Sequence, residues 1–460
     1  MSTGSKSKAP VSAIMTTLAA YIAATPKRAL PPAVVEKTKH HILDTLAAMI
    51  SGSRLEPGHY ALKYAKTLGG TKEACIPGSS IVTTAINAAL AGGMLGHADE
   101  TDDSHAPSLT HPGCGVVPAA LAVGEREHRS GRELIRAVAL GYDIGCRLTL
   151  SLNAYEFRED GHSTHSFGPM FGAAAASAAL MRFDARRVRH VLSYTAQQSS
   201  GVSCWMRDPD HIEKAFDFGG MPARNGVAAA TMVASGFTGV EDVFSGERNF
   251  YVAFGRQPNP GELVRELGET YEIMNTNIKR WSVGSPIQAP LDALDVLLAE
   301  QPFRAEDVEK MVVRVTHQGA NTVNNRDMPD ICMQHLVSVM VIDGTVTFKT
   351  THDVKRMRHP KVQALRAKVE LLGDDELTRR MPSRQGIVEV TLKDGRQLRK
   401  HIEAVRGTAQ NPMPRQEVDT KSFDLLAPIL GKTRARKLCD AVWALDGVKD
   451  VRSLRPLLRA

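Results

Sequence analysis

The chain has 460 residues, 43% of them hydrophobic, and this length exceeds what one hydrophobic core usually organises, so we expect two domains. The formal charge of +7 comes from 57 basic residues interleaved with 50 acidic ones, and the absence of a long basic block disfavours a nucleic-acid partner. No stretch reaches the roughly 18 apolar residues of a membrane span, no apolar signal segment opens the chain, and the six cysteines are scattered, so we expect a cytoplasmic protein without a membrane partner.

The first part of the chain has the pattern of a large helical domain. From Pro31 to about Leu267, apolar residues recur at the spacing of one helix face, and we assign residues 1–271 to an all-helical domain. Two of the predicted helices, at 85–93 and 172–179, are rich in glycine and alanine. Because small side chains let helix backbones approach closely, these helices are predicted to pack tightly.

The period of the hydrophobic pattern then changes to that of strands. Residues 310–316 and 386–392 have strand composition, and Asp394-Gly395 separates the second run from another at 397–405. Glycine readily supplies the positive φ of a tight turn, so this dipeptide predicts a hairpin.

These patterns define the predicted fold class, which is mainly α. A smaller α+β lid domain occupies residues 272–405, and residues 406–460 are predicted to rejoin the helical domain. The lid is therefore inserted before the C-terminal helices.

The most unusual segment is a loop between two apolar helices, residues 97–113, which holds four carboxylates and three histidines. At its end, His111 is a titratable imidazole just before a helix start, a position that favours proton transfer. Two other interpretations stay open. The loop could be a solvated acidic turn, or it could bind a metal through ligands that lack the spacing of the common metal motifs, namely His97, Asp99, Asp103 and His105.

Two further segments carry groups that could take part in chemistry. His162 and His165 precede an alanine-rich helix, whose positive N-terminal end lowers the pKa of a nearby imidazole and favours the neutral, basic form. Lys214 and Lys279 each lie beside apolar residues, although single lysines are more often solvated.

Taken together, these segments resemble the MmgE/PrpD family, which includes 2-methylcitrate dehydratase, cis-aconitate decarboxylase and iminodisuccinate epimerase. The similarity extends over nearly the whole chain and rests on the order and spacing of several pieces: Leu43-Asp44-Thr45-Leu46, 97–113, Gly141-Tyr142-Asp143, 161–176, 214–226, Ile278-Lys279-Arg280-Trp281, Ile342-Asp343-Gly344 and Asn411-Pro412. The family resemblance implies a helical domain and an α+β lid with the active site in the cleft between them, a homodimer, and no cofactor.

The resemblance also assigns site residues. The catalytic set comprises His111 and His162, expected to act as the acid/base pair, and Lys214 and Lys279, expected to hold substrate carboxylates. The substrate-binding set comprises Asp99, Glu100, Ser104 and His335, together with His165, which is included for its place beside the helix N-terminus. Either Asp99 or Glu100 matches the family's carboxylate, and the sequence leaves that choice open.

Ser104 stands where the family usually has threonine, and the departure that matters most is at residue 335. His335 falls where relatives carry tyrosine, and an imidazole can be a cation near neutral pH whereas a phenol with a pKa of about 10 stays neutral. His335 is therefore predicted to bind an extra carboxylate or to donate a proton. The alternative is a core histidine hydrogen-bonded to backbone.

The predicted function is that of a lyase acting at the carbon α or β to a carboxylate of a small polycarboxylic acid, either a dehydratase of a 2-methylcitrate-like acid or a decarboxylase of a cis-aconitate-like acid. Both reactions build negative charge on carbon, which fixed cations stabilise while an acid and a base move protons. An epimerase or isomerase of an iminodisuccinate-like acid is the alternative. A metal-dependent hydrolase using the His/Asp loop and a non-catalytic helical binding protein are more distant ones.

Overall fold

A computed structural model describes residues 10–460, and the chain in it is 61% helical with few strands, which confirms the mainly α class. Within the described residues the chain divides into two compact units. The first comprises the chain up to Ala98, Pro107–Asn275 and Ser422–Ala460; the second comprises Asp99–Ala106 and Thr276–Lys421.

Apolar residues at helical spacing form most of the first unit. Its elements up to residue 275 are α1 (Ala13–Ala24), α2 (Pro32–Gly52), α3 (Glu56–Leu68), β1 (Ala74–Cys75), β2 (Val82–Thr83), α4 (Ala85–Gly96), α5 (Pro112–Arg126), α6 (Gly131–Ser151), α7 (Ala154–Glu159), α8 (Thr164–Leu180), α9 (Ala185–Gln197), α10 (Ile212–Ala215), α11 (Met221–Ala234) and α12 (Phe250–Phe254). A π-helical turn, Phe216–Gly220, joins α10 to α11. The strands β1 and β2 are two residues each and pair antiparallel.

Small residues bring the central helices of this unit into close contact, as the sequence predicts. A Cβ atom added to Gly172 on α8 would lie 2.3 Å from the carbonyl oxygen of Gly141 on α6. Likewise, a Cβ atom added to Gly93 on α4 would lie 2.2 Å from the carbonyl oxygen of Gly219 in the π-turn. Only glycine fits at such distances, so α4 and the π-turn are held backbone to backbone.

The second unit contains a four-stranded sheet with helices. Its elements are α13 (Gln288–Glu300), β3 (Val308–Val315), α14 (His317–Val323), α15 (Met333–Asp343), α16 (Phe348–Thr351), α17 (Val354–Met357), α18 (Pro360–Arg366), β4 (Val369–Gly373), α19 (Asp375–Arg379), β5 (Gly386–Leu392) and β6 (Gln397–Ile402). The strand order is β4-β3-β5-β6, with β3 and β4 parallel and the other pairs antiparallel. Apolar side chains of α13 and α15 form one buried core with those of the sheet.

The hairpin between β5 and β6 is confirmed. Gly395 has a φ of +88°, and its N–H donates to the carbonyl oxygen of Leu392, so the turn uses the conformation that glycine allows. The C-terminal helices are α20 (Arg415–Leu430), α21 (Lys432–Trp443) and α22 (Arg455–Leu458), with Gly431 at a φ of +77° between the first two.

The lid predicted from the sequence spans 272–405, whereas the second unit runs from 276 to 421 and also includes 99–106.

Among the described residues, no helix has both the length and the apolar character needed to cross a membrane.

Candidate functional site

Four imidazoles of the first unit lie close together, three of them around the ring of Phe218 and the fourth, His211, against His97. We call this set the imidazole cluster: His97, His111, His165 and His211. Phe218 lies in the π-turn and stacks against the ring of His165 at 3.8 Å between centroids and against that of His97 at 4.2 Å. The ring of His111 is 5.1 Å from that of His97 and 5.3 Å from that of His165. His211 approaches His97 at 5.0 Å.

The ends of helices position these four rings. His97 follows the last residue of α4, and His111 is the residue before α5, as predicted from the Thr-His-Pro-Gly sequence. His165 is the second residue of α8, and His211 precedes α10 with a φ of +60°, a left-handed conformation that is uncommon outside glycine. Residues far apart in the sequence thus meet where helices begin or end.

His165 is neutral at physiological pH. Burial lowers the pKa of this imidazole well below its usual value, and the positive charges of protonated His111 and His97 and of Lys214 would lower it further. The residue is partly exposed as a whole, but its Nδ1 atom is buried and has no hydrogen-bond partner. A neutral imidazole with an available ring nitrogen can accept a proton, which is the property that the sequence analysis expected at this helix start.

His162 lies apart from this cluster. Its ring stacks on Phe157 at 4.5 Å between centroids and meets Phe254 edge-on at 6.0 Å. The structure therefore brings His111 together with His165, not with His162, although the sequence analysis pairs His111 and His162 as acid and base. The reason is local: α8 begins at Thr164, so His162 lies two residues before the helix and outside its first turn.

Lys214 belongs to the same region of the first unit. Its Nζ atom lies 5.2 Å from the ring centroid of Phe218 and 5.7 Å from that of Trp205. Both distances are within the range of a cation–π interaction, so two aromatic rings flank the ammonium group.

In the second unit, a buried ion-pair set fixes the acidic loop. Lys279 Nζ donates to the backbone oxygen of Glu100 at 2.9 Å and lies 3.2 Å from Glu100 Oε2 and 3.7 Å from Asp102 Oδ1. Burial alone would lower the pKa of Lys279, but the carboxylates of Glu100 and Asp102 outweigh it and raise the pKa, so the ammonium stays charged. Ser104 pairs with Asn277 through two backbone hydrogen bonds of 2.8 and 3.0 Å, which ties the loop to the segment that carries Lys279.

Asp99 and Glu100 have different partners. Asp99 accepts hydrogen bonds from the backbone N–H and the hydroxyl of Thr101, and its Oδ2 atom is 3.1 Å from His352 Nε2. That contact is an ion pair whose alignment is not that of a hydrogen bond. Burial alone would lower the pKa of His352, but the carboxylate of Asp99 outweighs this effect and raises the pKa to about 9. Glu100, in contrast, faces the predicted catalytic Lys279.

His335 is fully buried in α15, and neither ring nitrogen has a hydrogen-bond partner. Burial, with the like charges of Arg366 and Arg356, lowers its pKa to about 4, so the imidazole is neutral near pH 7. The ring is therefore neither a standing cation nor hydrogen-bonded to backbone, and the substrate-binding role of His335 stays a prediction. Leaving such groups unsatisfied typically costs about 1–3 kcal/mol each.

The sequence patterns did not identify His211, which belongs to the imidazole cluster, Phe218, which packs against the cluster, or His352, which pairs with Asp99. Phe218 and Lys214 stand four residues apart, a spacing that predicts neighbours on a helix. His211 and His352 carry no such signal, because their neighbours in the fold come from distant segments.

Comparisons with known proteins cover most of the chain. Residues 16–263 match the MmgE/PrpD N-terminal domain and residues 281–446 match the MmgE/PrpD C-terminal domain. The chain is similar to the cis-aconitate decarboxylase of Homo sapiens, with 24% identity over 93% of this chain and 90% of that protein. It is also similar to the cis-aconitate decarboxylases of Aspergillus terreus, at 22% over 93% and 92%, and of Mus musculus, at 22% over 94% and 90%.

Proposed function

The chain belongs to the MmgE/PrpD family, and from this premise we propose that it is a cofactor-independent lyase acting on the carbon next to a carboxylate of a small polycarboxylic acid. The observation that carries the proposal is the imidazole cluster. It holds a neutral His165 in ring contact with His111, beside the cation of Lys214. Two neighbouring imidazoles can supply one base and one acid, the minimum that such a reaction needs.

The two lyase reactions use these groups in different order. In decarboxylation the C–C bond to a carboxylate breaks, carbon dioxide leaves, the electron pair stays on carbon and an acid then supplies a proton. In dehydration a base removes a proton from carbon and the hydroxyl leaves as water after accepting a proton. Both place negative charge next to a remaining carboxylate, and we assign Lys214 and Lys279 to carboxylate binding and His111 with His165 to proton transfer.

A substrate screen tests this proposal. Purified protein is incubated with methylcitrate, aconitates, citramalate and iminodisuccinate in deuterated water and followed by proton NMR. Loss of a carbon indicates decarboxylation, a new alkene with unchanged carbon count indicates dehydration, and exchange without net reaction indicates the epimerase alternative. The relatives' names make cis-aconitate the first compound to test. Folded protein that neither turns over nor exchanges any of these acids would overturn the proposal.

A pair of variants decides which histidine accompanies His111. We expect His165→Ala to lower turnover by about 10²-fold or more, the usual contribution of a proton-transfer group, because this ring contacts His111. His162→Ala is the matched comparison. It removes the same type of side chain three residues earlier in the chain, where the ring packs on Phe157 and not on His111. Loss of turnover in His162→Ala alone would restore the pairing expected from the family resemblance.

We further propose that His335 sets substrate specificity. Its two unpartnered nitrogens and its place at the family's tyrosine position support this role. A neutral imidazole offers one donor and one acceptor, so it would recognise a polar substrate group that both accepts and donates, such as a hydroxyl.

A further inference from the structure

A series of hydrogen bonds beside the imidazole cluster links Asp217, Ser163 and Trp205, and the reaction described above does not use it. It begins at Asp217, a buried carboxyl group in the π-turn of the first unit. The hydroxyl of Ser163 donates a short hydrogen bond to Asp217 Oδ2. Burial raises the pKa of this carboxyl to about 7. Burying a carboxyl group with a single hydrogen bond lowers the stability of the folded state, so packing does not explain this arrangement.

Ser163 stands where a helix-capping residue is expected, but it does not cap. It is the residue before α8, and serine at this position normally accepts a hydrogen bond from a backbone N–H of the first turn. The Ser163 side chain makes no such bond. Instead, its hydroxyl donates a hydrogen bond to Asp217, and its oxygen accepts one of 3.2 Å from Trp205 Nε1. The cap is replaced by a link to Trp205.

Trp205 connects this link to two proposed functional groups. Its ring meets the ring of His165 edge-on, at 5.3 Å and 83°, and the ring of Phe218 at 4.6 Å and 90°. The ammonium of Lys214 lies over the rings of Trp205 and Phe218. Trp205 lies in a 3-10 turn, Ser203–Arg207, and is partly exposed, so its hydrogen bond to Ser163 supplies an orientation that burial alone does not.

We infer that Asp217 and Ser163 are positioning residues that fix the indole of Trp205 and, through it, the ammonium of Lys214. Lysine has a flexible four-carbon stem, and a rigid aromatic wall limits the positions open to its head group. This inference rests on the proposed function for the role of Lys214 in carboxylate binding. The contacts themselves do not depend on which acid is the substrate.

The first test reads the position of Lys214 without using activity. Reductive ¹³C-methylation of the lysines keeps their charge and gives each an NMR signal, and Lys214 is assigned by the signal that Lys214→Arg removes. Because the ammonium lies over two aromatic rings, ring currents shift its signal. We expect Ser163→Ala to remove the part of this shift that Trp205 contributes and Ser163→Thr, which keeps the hydroxyl, to restore it.

A matched control removes a hydroxyl from the same helix. Ser177 on α8 is buried and donates only to the backbone oxygen of Ala173, at 2.7 Å, so Ser177→Ala should leave the Lys214 signal in place. If Ser163→Ala does not fold, Trp205→Phe in the 3-10 turn replaces it, because phenylalanine keeps a ring but cannot donate to Ser163. An unchanged Lys214 signal in folded Ser163→Ala would overturn the inference, as would an unchanged signal in folded Trp205→Phe where Ser163→Ala does not fold.

The second test separates this inference from the proposed lyase activity. On a substrate that the wild-type protein turns over, Ser163→Ala should raise KM about tenfold with kcat changed by less than about threefold, since a carboxylate anchor acts in ground and transition states alike. Ser163→Thr should recover KM. If the wild-type protein is inactive, the proposed function fails while the NMR result still decides the positioning role. If Ser163→Ala instead lowers both kcat and the thermal stability, and Ser163→Thr recovers neither, Ser163 has a structural role only.

Discussion

Asp217→Asn should make the protein more stable at high pH relative to the wild type. In the folded wild type the pKa of this carboxyl is raised from 3.8 to about 7, chiefly because the group is buried and despite the hydrogen bond from Ser163. The folded state therefore holds a proton between about pH 4 and pH 7 that the unfolded state has lost. Stability falls as pH rises through that window and levels off above the folded pKa.

The magnitude follows from the two pKa values. Each unit of pH between them costs about 1.4 kcal/mol, so the wild type should lose about 2–3 kcal/mol relative to Asp217→Asn between pH 5 and pH 8. Asparagine keeps a carbonyl oxygen that can accept the hydrogen bond from the Ser163 hydroxyl, so the variant removes the titrating group and keeps this contact. The comparison therefore measures the effect of protonating Asp217 on stability.

The assay is urea unfolding followed by circular dichroism, with free energies compared at about pH 5 and about pH 8. Asp440→Asn on α21, where the carboxylate is 65% exposed, is the control and should show almost no pH-dependent difference. A wild-type-to-variant difference for Asp217 that is constant across this range, or that changes in the opposite direction, would refute the reasoning.

Four other predictions concern the clusters of the two units. His352→Gln should lower stability by about 1–3 kcal/mol below pH 6.5, and the loss should shrink as pH rises through about 9, where the wild-type imidazolium loses its proton, as urea unfolding at several pH values can show. Lys279→Ala should mainly raise KM and His111→Ala should mainly lower kcat in steady-state kinetics. His335→Tyr should fold and lose turnover of the native substrate. Activity should survive EDTA, because the oxygens of Asp99, one of the candidate metal ligands, are already engaged by Thr101 and His352.

Each of these has an outcome that contradicts it. A stability loss in His352→Gln that does not vary with pH would mean that the ion pair is unimportant. Similar kinetic defects in the Lys279 and His111 variants would remove the distinction between anchor and proton-transfer group. Full activity or a large drop in thermal stability in His335→Tyr would make that histidine structural. Loss of activity on chelation, with recovery on adding a defined metal, would favour the metal-site alternative.

Much of the fold could be predicted because its signals are local. Apolar spacing predicts the helices of the first unit, and Asp394-Gly395 predicts the hairpin of the second, since both depend on residues that are neighbours in sequence. The same holds for His111, whose place before a helix follows from the proline after it. These features need no knowledge of what packs against them.

The membership of the imidazole cluster was decided only by the tertiary structure. Each residue of a helix turns by about 100°, so a start at Thr164 directs His165 to His111 and Phe218 while His162, outside the helix, packs elsewhere. His352 and Asp99 are distant in sequence and become an ion pair only because the second unit brings them together. Burial, which neutralises His335 and raises the pKa of Asp217, is likewise a property of the folded chain and has no pattern in the sequence.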